Sequence, residues 1–154
     1  MDHVSRTLRA ADMSRYASAF ASRVTAKARL PLDFSVASLR IVDRVVDGLR
    51  QGTADPVAAA PVLRELGAYL GEVIVRQACA RWVDFDEATS ELFRQPVGVR
   101  MPDGRAWNPL GKVVNRFELG PEESAHTFFL LLPGRVRRPP LPRRTADGRH
   151  PAAA

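Results

Sequence analysis

Residues 67–76 read GAYLGEVIVR, and the two glycines in this stretch decide how the chain can fold. From Val62 onward Leu63, Leu66, Leu70, Val73 and Ile74 recur at helical spacing. Gly67 and Gly71 therefore fall inside a helix, where each costs about 1 kcal/mol against alanine. A backbone site for a ligand would explain them, yet phosphate-binding glycines precede a helix rather than sit within it. A membrane dimer through the same spacing is excluded by Arg64, Glu65, Glu72 and Arg76. Close packing remains: Gly67, Gly71, Ile74 and Ala78 share a line with little side-chain bulk, against which a strand or helix can lie tightly. Glu72 and Arg76 form an i, i+4 pair in the favourable order and are expected to face water with Glu65.

The flanking segments extend this helix into an α+β pattern. Upstream, Val4, Leu8, Met13, Ala17, Phe20 and Val24 predict an amphipathic helix from about Ser5 to Lys27, broken near Pro31. Asp33 or Ser35 can cap a second helix over SVASLRIVDRVVDGLRQG, with Leu39, Val42, Val46 and Leu49 buried. Arg40, Asp43, Arg44, Asp47 and Arg50 decorate its other faces. Asp55-Pro56 is a helix start, and Pro61 either restarts or kinks that helix.

Downstream the period changes. RWVDFD alternates as a strand would, with Trp82, Asp84 and Asp86 on one face and Val83 and Phe85 on the other. A polar connection, EATSELFRQ, leads to a β-hairpin with strands about 97–101 and 105–108 around Pro102-Asp103-Gly104. GKVVNRFELG predicts a short helix burying Val113, Val114 and Phe117. PEESAHTFFLLL predicts a final helix with Glu122 and Glu123 in its first turn, favoured there by the helix dipole. The expected fold class is α+β: a helical layer packed on a small antiparallel sheet of about three strands. The expected units are an N-terminal amphipathic helix in 1–30, a compact core in 31–134 and a disordered Arg/Pro-rich tail in 135–154.

Composition narrows the function classes. The 154 residues are 45% hydrophobic and 26% charged, an ordinary balance for a single domain. No apolar run is long enough for a membrane span, and the N-terminus lacks a signal-peptide core. Cys79 is the only cysteine, which excludes an intrachain disulfide and makes the cytoplasm the expected compartment. The net charge is +6, but residues 135–154 hold six arginines and one acid, leaving the body with seventeen basic and sixteen acidic groups. The basic character belongs to the tail.

No catalytic constellation emerges. Asp84, Asp86 and Glu87 read as solvated strand-end acids, since no second cluster completes a metal site. His3, His126 and His150 have no ligand spacing. Cys79 between Ala78 and Ala80 reads as a small buried hydrophobe, although a small enzyme using Cys79 or His126 stays open. No cofactor is expected. Tyr69, Trp82 and Trp107 are aromatics of the kind enriched at interfaces, and Arg100, Lys112 and Arg116 flank them in the sequence. The candidate binding surface is thus Tyr69, Glu72, Trp82, Trp107, Lys112 and Arg116, facing a protein partner. In the tail, RPPLPRR matches the polyproline form. Arg137, Arg138, Arg143 and Arg144 are candidates for weak nucleic-acid or anionic-surface contact.

LDFSVASLRIVDRVVDGL, ELGAYLGEVIVR with its following Trp82, and PVGVRMPDGRAWNPLGKVVNRFELGPEESAHTFF together resemble a group of small bacterial proteins of unknown function. That group shares a Gly-x-Tyr-Leu-Gly-Glu helix, a strand tryptophan and a hairpin–helix unit. The likeness covers residues 32 to 130, and the Ala-Cys-Ala-Arg-Trp sequence before the strand departs from the group's glycine-bearing turn. It implies the fold and no activity. The leading expectation is a cytoplasmic, non-enzymatic protein-interaction module; the alternative is non-specific nucleic-acid binding through the tail.

Overall fold

A computed structural model describes residues 7–52 and 55–135. The elements run α1 (Ala10–Ala28), α2 (Leu39–Gly52), α3 (Pro56–Ala78), β1 (Arg81–Asp84), α4 (Glu87–Phe93), β2 (Val97–Arg100), β3 (Ala106–Trp107), α5 (Pro109–Leu119) and α6 (Ala125–Leu131). The three strands form one antiparallel sheet in the order β1-β2-β3, with Trp82 opposite Val99 and Val99 opposite Trp107. The fold is α+β, as the sequence pattern predicts. The tail from residue 136 onward, including Arg137, Arg138, Arg143 and Arg144, lies outside the described residues. Among the described residues no helix is long and apolar enough to cross a membrane.

The central element is α3. Asp55 caps it by accepting from the Val57 N–H, and it runs unbroken past Pro61, so that proline neither restarts nor ends it. Leu63, Leu66, Tyr69, Leu70, Val73 and Ile74 are buried along it. Helix α1 packs on it through Met13, Ala17, Phe20 and Ala21. The two glycines receive α5 and β1. A Cβ on Gly67 would stand 2.7 Å from the Leu110 Cα, and one on Gly71 would overlap the Trp82 ring. This is the close packing that the glycines predict, with a helix N-terminus and a tryptophan as the two occupants.

Four expectations are corrected. Helix α1 begins at Ala10 rather than near Ser5, a residue outside the described ones; the Ala10 N–H donates to Asp84 Oδ1 at 2.8 Å, which fixes the start. The polar connection after β1 is a helix, α4: Asp86 accepts from the Thr89 N–H at 2.8 Å and caps it. Hydrogen bonds from Thr89 hold the Asp86 carboxyl below the usual carboxylate range. Asp84 and Asp86 are exposed acids at the strand end, as expected, and each also accepts a backbone N–H. Third, PEESAHTFFLLL does not form one helix. Gly120, at φ 115°, turns the chain into a single 3-10 turn, Pro121–Glu123, and Ser124 then caps α6. Fourth, Asp43 and Asp47 do not merely decorate α2. Asp43 accepts from Ser124 Oγ at 2.6 Å and the Ala125 N–H at 2.8 Å, while Asp47 accepts from Arg116.

Glycine substitutions test the packing. Gly48 lies exposed inside α2 with no atom near its would-be Cβ. Gly48→Ala should stabilise by up to about 1 kcal/mol through helix propensity. Gly67→Ala gains the same propensity but drives a methyl into the α5 backbone, and should lose about 1–3 kcal/mol net. Urea unfolding of both variants checks this; stabilisation by Gly67→Ala would refute the close approach.

Candidate functional site

The residues predicted to form one binding surface separate into four places. Tyr69 is fully buried. Its hydroxyl accepts from the Phe34 N–H at 2.9 Å and lies 2.6 Å from Ser38 Oγ. Ser38 spends its own proton on the Ser35 carbonyl, so Tyr69 donates to Ser38. Phe34 has a left-handed backbone (φ 61°), a conformation that costs about 1–3 kcal/mol outside glycine. Helix α3 holds it there: its ring stacks on Tyr69 at 4.9 Å and its carbonyl accepts from Gln77. The Arg76 guanidinium lies 3.7 Å from the same ring's centroid.

Glu72 does not face water. It is 4% exposed and accepts three hydrogen bonds, from Ser14 Oγ (2.8 Å), Trp82 Nε1 (2.9 Å) and Arg76 Nε (3.1 Å). One carboxylate thereby ties α1, α3 and β1 together, and Trp82 is held half-buried by it. Arg116 is buried at 2% exposure and pairs with Asp47 (2.7 Å) and Asp43 (3.4 Å). Tyr69, Glu72 and Arg116 are thus parts of the scaffold rather than of an exposed surface. The physical reason is that each polar group finds its complement inside: Tyr69 on the loop before α2, Glu72 on α1, β1 and its own helix, and Arg116 on α2.

Trp107 and Lys112 remain, and they share the walls of a cleft of about 540 Å³. Its lining comes from α4 (Leu92, Phe93), the adjoining Arg94, β3 (Ala106, Trp107), the start of α5 (Lys112, Asn115) and Phe128 of α6. Trp107 meets Phe128 edge to face at 5.9 Å. Lys112 is ion-paired with Glu123 while its ammonium stands 5.4 Å from the Phe128 ring centroid. Asn108 sets the width. Its Oδ1 accepts from the Gly111 N–H (2.9 Å) and caps α5, and its Nδ2 donates to the Phe93 carbonyl (3.0 Å) at the end of α4.

Leu92, Phe93, Arg94, Asn108 and Phe128 are not singled out by sequence reasoning. The Asn108-Pro109 pair is the one local signal, a capping residue before a proline at the first helical position. Nothing in the run FFLLL tells which phenylalanine faces the core; Phe129 does, and Phe128 lines the cleft.

The alternative chemical centres fare differently from their expected settings. Cys79 is exposed, not buried, because it caps α3 in a left-handed conformation (φ 56°). His126 is half-buried, with its backbone N–H directed at Asp43. Among the described residues no group of three or more His, Cys, Asp or Glu side chains could hold a metal ion. No protein-family model, no curated protein and no solved structure matches the chain.

Burial pushes the Tyr69 hydroxyl above its ordinary value of 10.0. The folded state therefore keeps this proton where the unfolded state loses it, so the contribution is intact below about pH 10 and lost as pH rises further. Tyr69→Phe should flatten the alkaline loss of stability while lowering stability at neutral pH by about 1–3 kcal/mol, since the Phe34 N–H loses its partner. Denaturant midpoints followed from neutral to alkaline pH measure both effects.

Proposed function

We propose that the protein is a cytoplasmic, non-enzymatic protein-interaction module whose recognition surface is the cleft walled by Trp107, Lys112 and Phe128. The arginine-rich segment 135–154 serves as an auxiliary contact. The cleft supports this reading: it pairs aromatic walls with an exposed leucine, Leu92, at 77% exposure. Aromatic groups of this kind supply much of the binding energy where partners exclude water. Tyr69, Glu72, Trp82 and Arg116 hold the helices and strand that carry the walls.

The chemistry of the lining favours binding over turnover. It contains no Ser, Thr, Cys, His, Asp or Glu. Both polar ends of Asn108 are occupied, and the Lys112 ammonium is held by Glu123. A nucleophile with a base, or a paired acid and base, has no place here. The single cysteine supports the compartment.

Crosslinked capture from the native host, with full-length baits, tests the assignment. Leu92→Ala removes an exposed side chain and should leave thermal unfolding unchanged, yet reduce capture of a specific protein about fivefold or more, the effect of one interface anchor. Replacing Arg137, Arg138, Arg143 and Arg144 together by alanine should retain that partner. Capture that ignores Leu92→Ala, needs the four arginines and vanishes with nuclease would instead assign the binding to nucleic acid on the tail. Arg116→Ala is unsuitable as a surface probe. It removes the buried partner of Asp43 and Asp47, and because Asp47 is partly solvated and Asp43 keeps other donors, it should destabilise by about 1–3 kcal/mol in urea unfolding.

A further inference from the structure

Resting on the cleft as the recognition surface, we infer that its ligand is an acidic peptide segment: one or two apolar side chains flanked by Asp or Glu. The apolar requirement comes from the walls. Leu92, Phe93, Trp107 and Phe128 offer contact area for side chains of a partner, with Leu92 projecting into solvent at the rim.

The acidic requirement comes from charge. The only charged side chains lining the cleft are cations, Arg94 and Lys112. Glu123 neutralises Lys112. Arg94 is exposed at the left-handed residue ending α4, and among the described residues no acid pairs with it. The cleft therefore presents one positive charge held by no ion pair, beside an apolar floor.

A second positive source is the segment that follows Gly134. Gly134 lies beside the hairpin turn, where a Cβ would stand 3.6 Å from Asp103 Oδ2, and that hairpin carries Trp107. Residues 135–154, which continue from this point, hold six arginines and one acid. Their charge adds a long-range attraction for an acidic partner. The same sign weighs against the chain's own RPPLPRR as the occupant, since its arginines would face Arg94. A basic partner, or nucleic acid seated in the cleft through its bases, fits the lining less well: the one repels Arg94, and the other gains nothing from Leu92.

Three labelled ten-residue peptides decide the matter, sharing a Leu-Phe anchor and differing only in flanks of Glu/Asp, Gln/Asn or Lys/Arg. Fluorescence polarisation is read at low and at high salt with the full-length protein, Leu92→Ala and Arg94→Glu. The acidic peptide should bind the wild-type protein about twofold to fivefold tighter than the neutral one, the scale of one surface ion pair, and the basic peptide weakest. High salt should close the gap. Leu92→Ala should weaken acidic and neutral peptides alike, whereas Arg94→Glu should weaken the acidic peptide alone. Equal acidic and neutral affinities, both lost on Leu92→Ala, would overturn the acidic class and leave the cleft reading standing. Affinity for the acidic peptide that ignores both substitutions, or no binding of any probe, would overturn the inference and the cleft reading together.

Discussion

The line of α3 without side-chain bulk is the constraint on which the cleft side of the molecule depends. Because Gly67 and Gly71 carry no Cβ, Leu110 and the Trp82 ring sit directly on the helix backbone. Two interior glycines forfeit about 2 kcal/mol of helix propensity. Burying one leucine alone returns about 1.5–3 kcal/mol, and Trp82 and Pro109 add to it, so the exchange favours glycine. The geometry then propagates. Leu110 on α3 fixes where α5 begins, Asn108 caps that beginning, and the same asparagine holds the Phe93 carbonyl at the end of α4. The cleft is the space this chain of contacts leaves between α4 and α5.

Two buried ionic groups complete the frame in different ways. Glu72 is well satisfied, with three donors on its two oxygens. Such a carboxylate fixes the relative position of α1, α3 and β1, because losing any donor would leave a buried charge underbonded. Arg116 is less complete: its Nε and Nη1 make no hydrogen bond, and two carboxylates of α2 balance it electrostatically. Asp43 is shared between Arg116 and the first N–H groups of α6. Helix α6 has seven residues, too few to persist without tertiary support. Its anchoring to Asp43 is what sets Phe128 against Trp107.

Much of the fold is legible in the sequence because it is written in periodicity. The α2 and α3 stripes, the alternation at Arg81–Asp84 and the Pro-Asp-Gly turn each report a local preference that the tertiary structure honours. Helix α4 is hidden because it buries no residue completely and so carries no apolar stripe; its signal is the cap Asp86 alone. The break at Ser124 is hidden for another reason. It depends on Asp43, eighty-one residues away in the sequence, and no local pattern announces such a partner. The site divides along the same line. An aromatic or charged residue is visible as a type, but its burial depends on what faces it. Tyr69, Glu72 and Arg116 find partners on other segments of the chain and are drawn inside. Trp107 and Lys112 stand where α4 and α6 leave room.

The cleft is also held open by bonds that do not point into it. Asn108 uses both polar ends on backbone groups, Lys112 is braced by Glu123, and Phe128 is fixed by its edge contact with Trp107. A partner entering such a site orders few side chains, so little of the contact energy is lost to entropy. The groups the frame leaves uncommitted include the apolar surface of Leu92, the positive charge of Arg94 at the end of α4 and the Trp107 indole N–H, which has no hydrogen-bond partner. On the proposed reading, selectivity at this cleft would rest on an apolar match and a charge sign, a combination that sorts short segments by side chain and flanking charge.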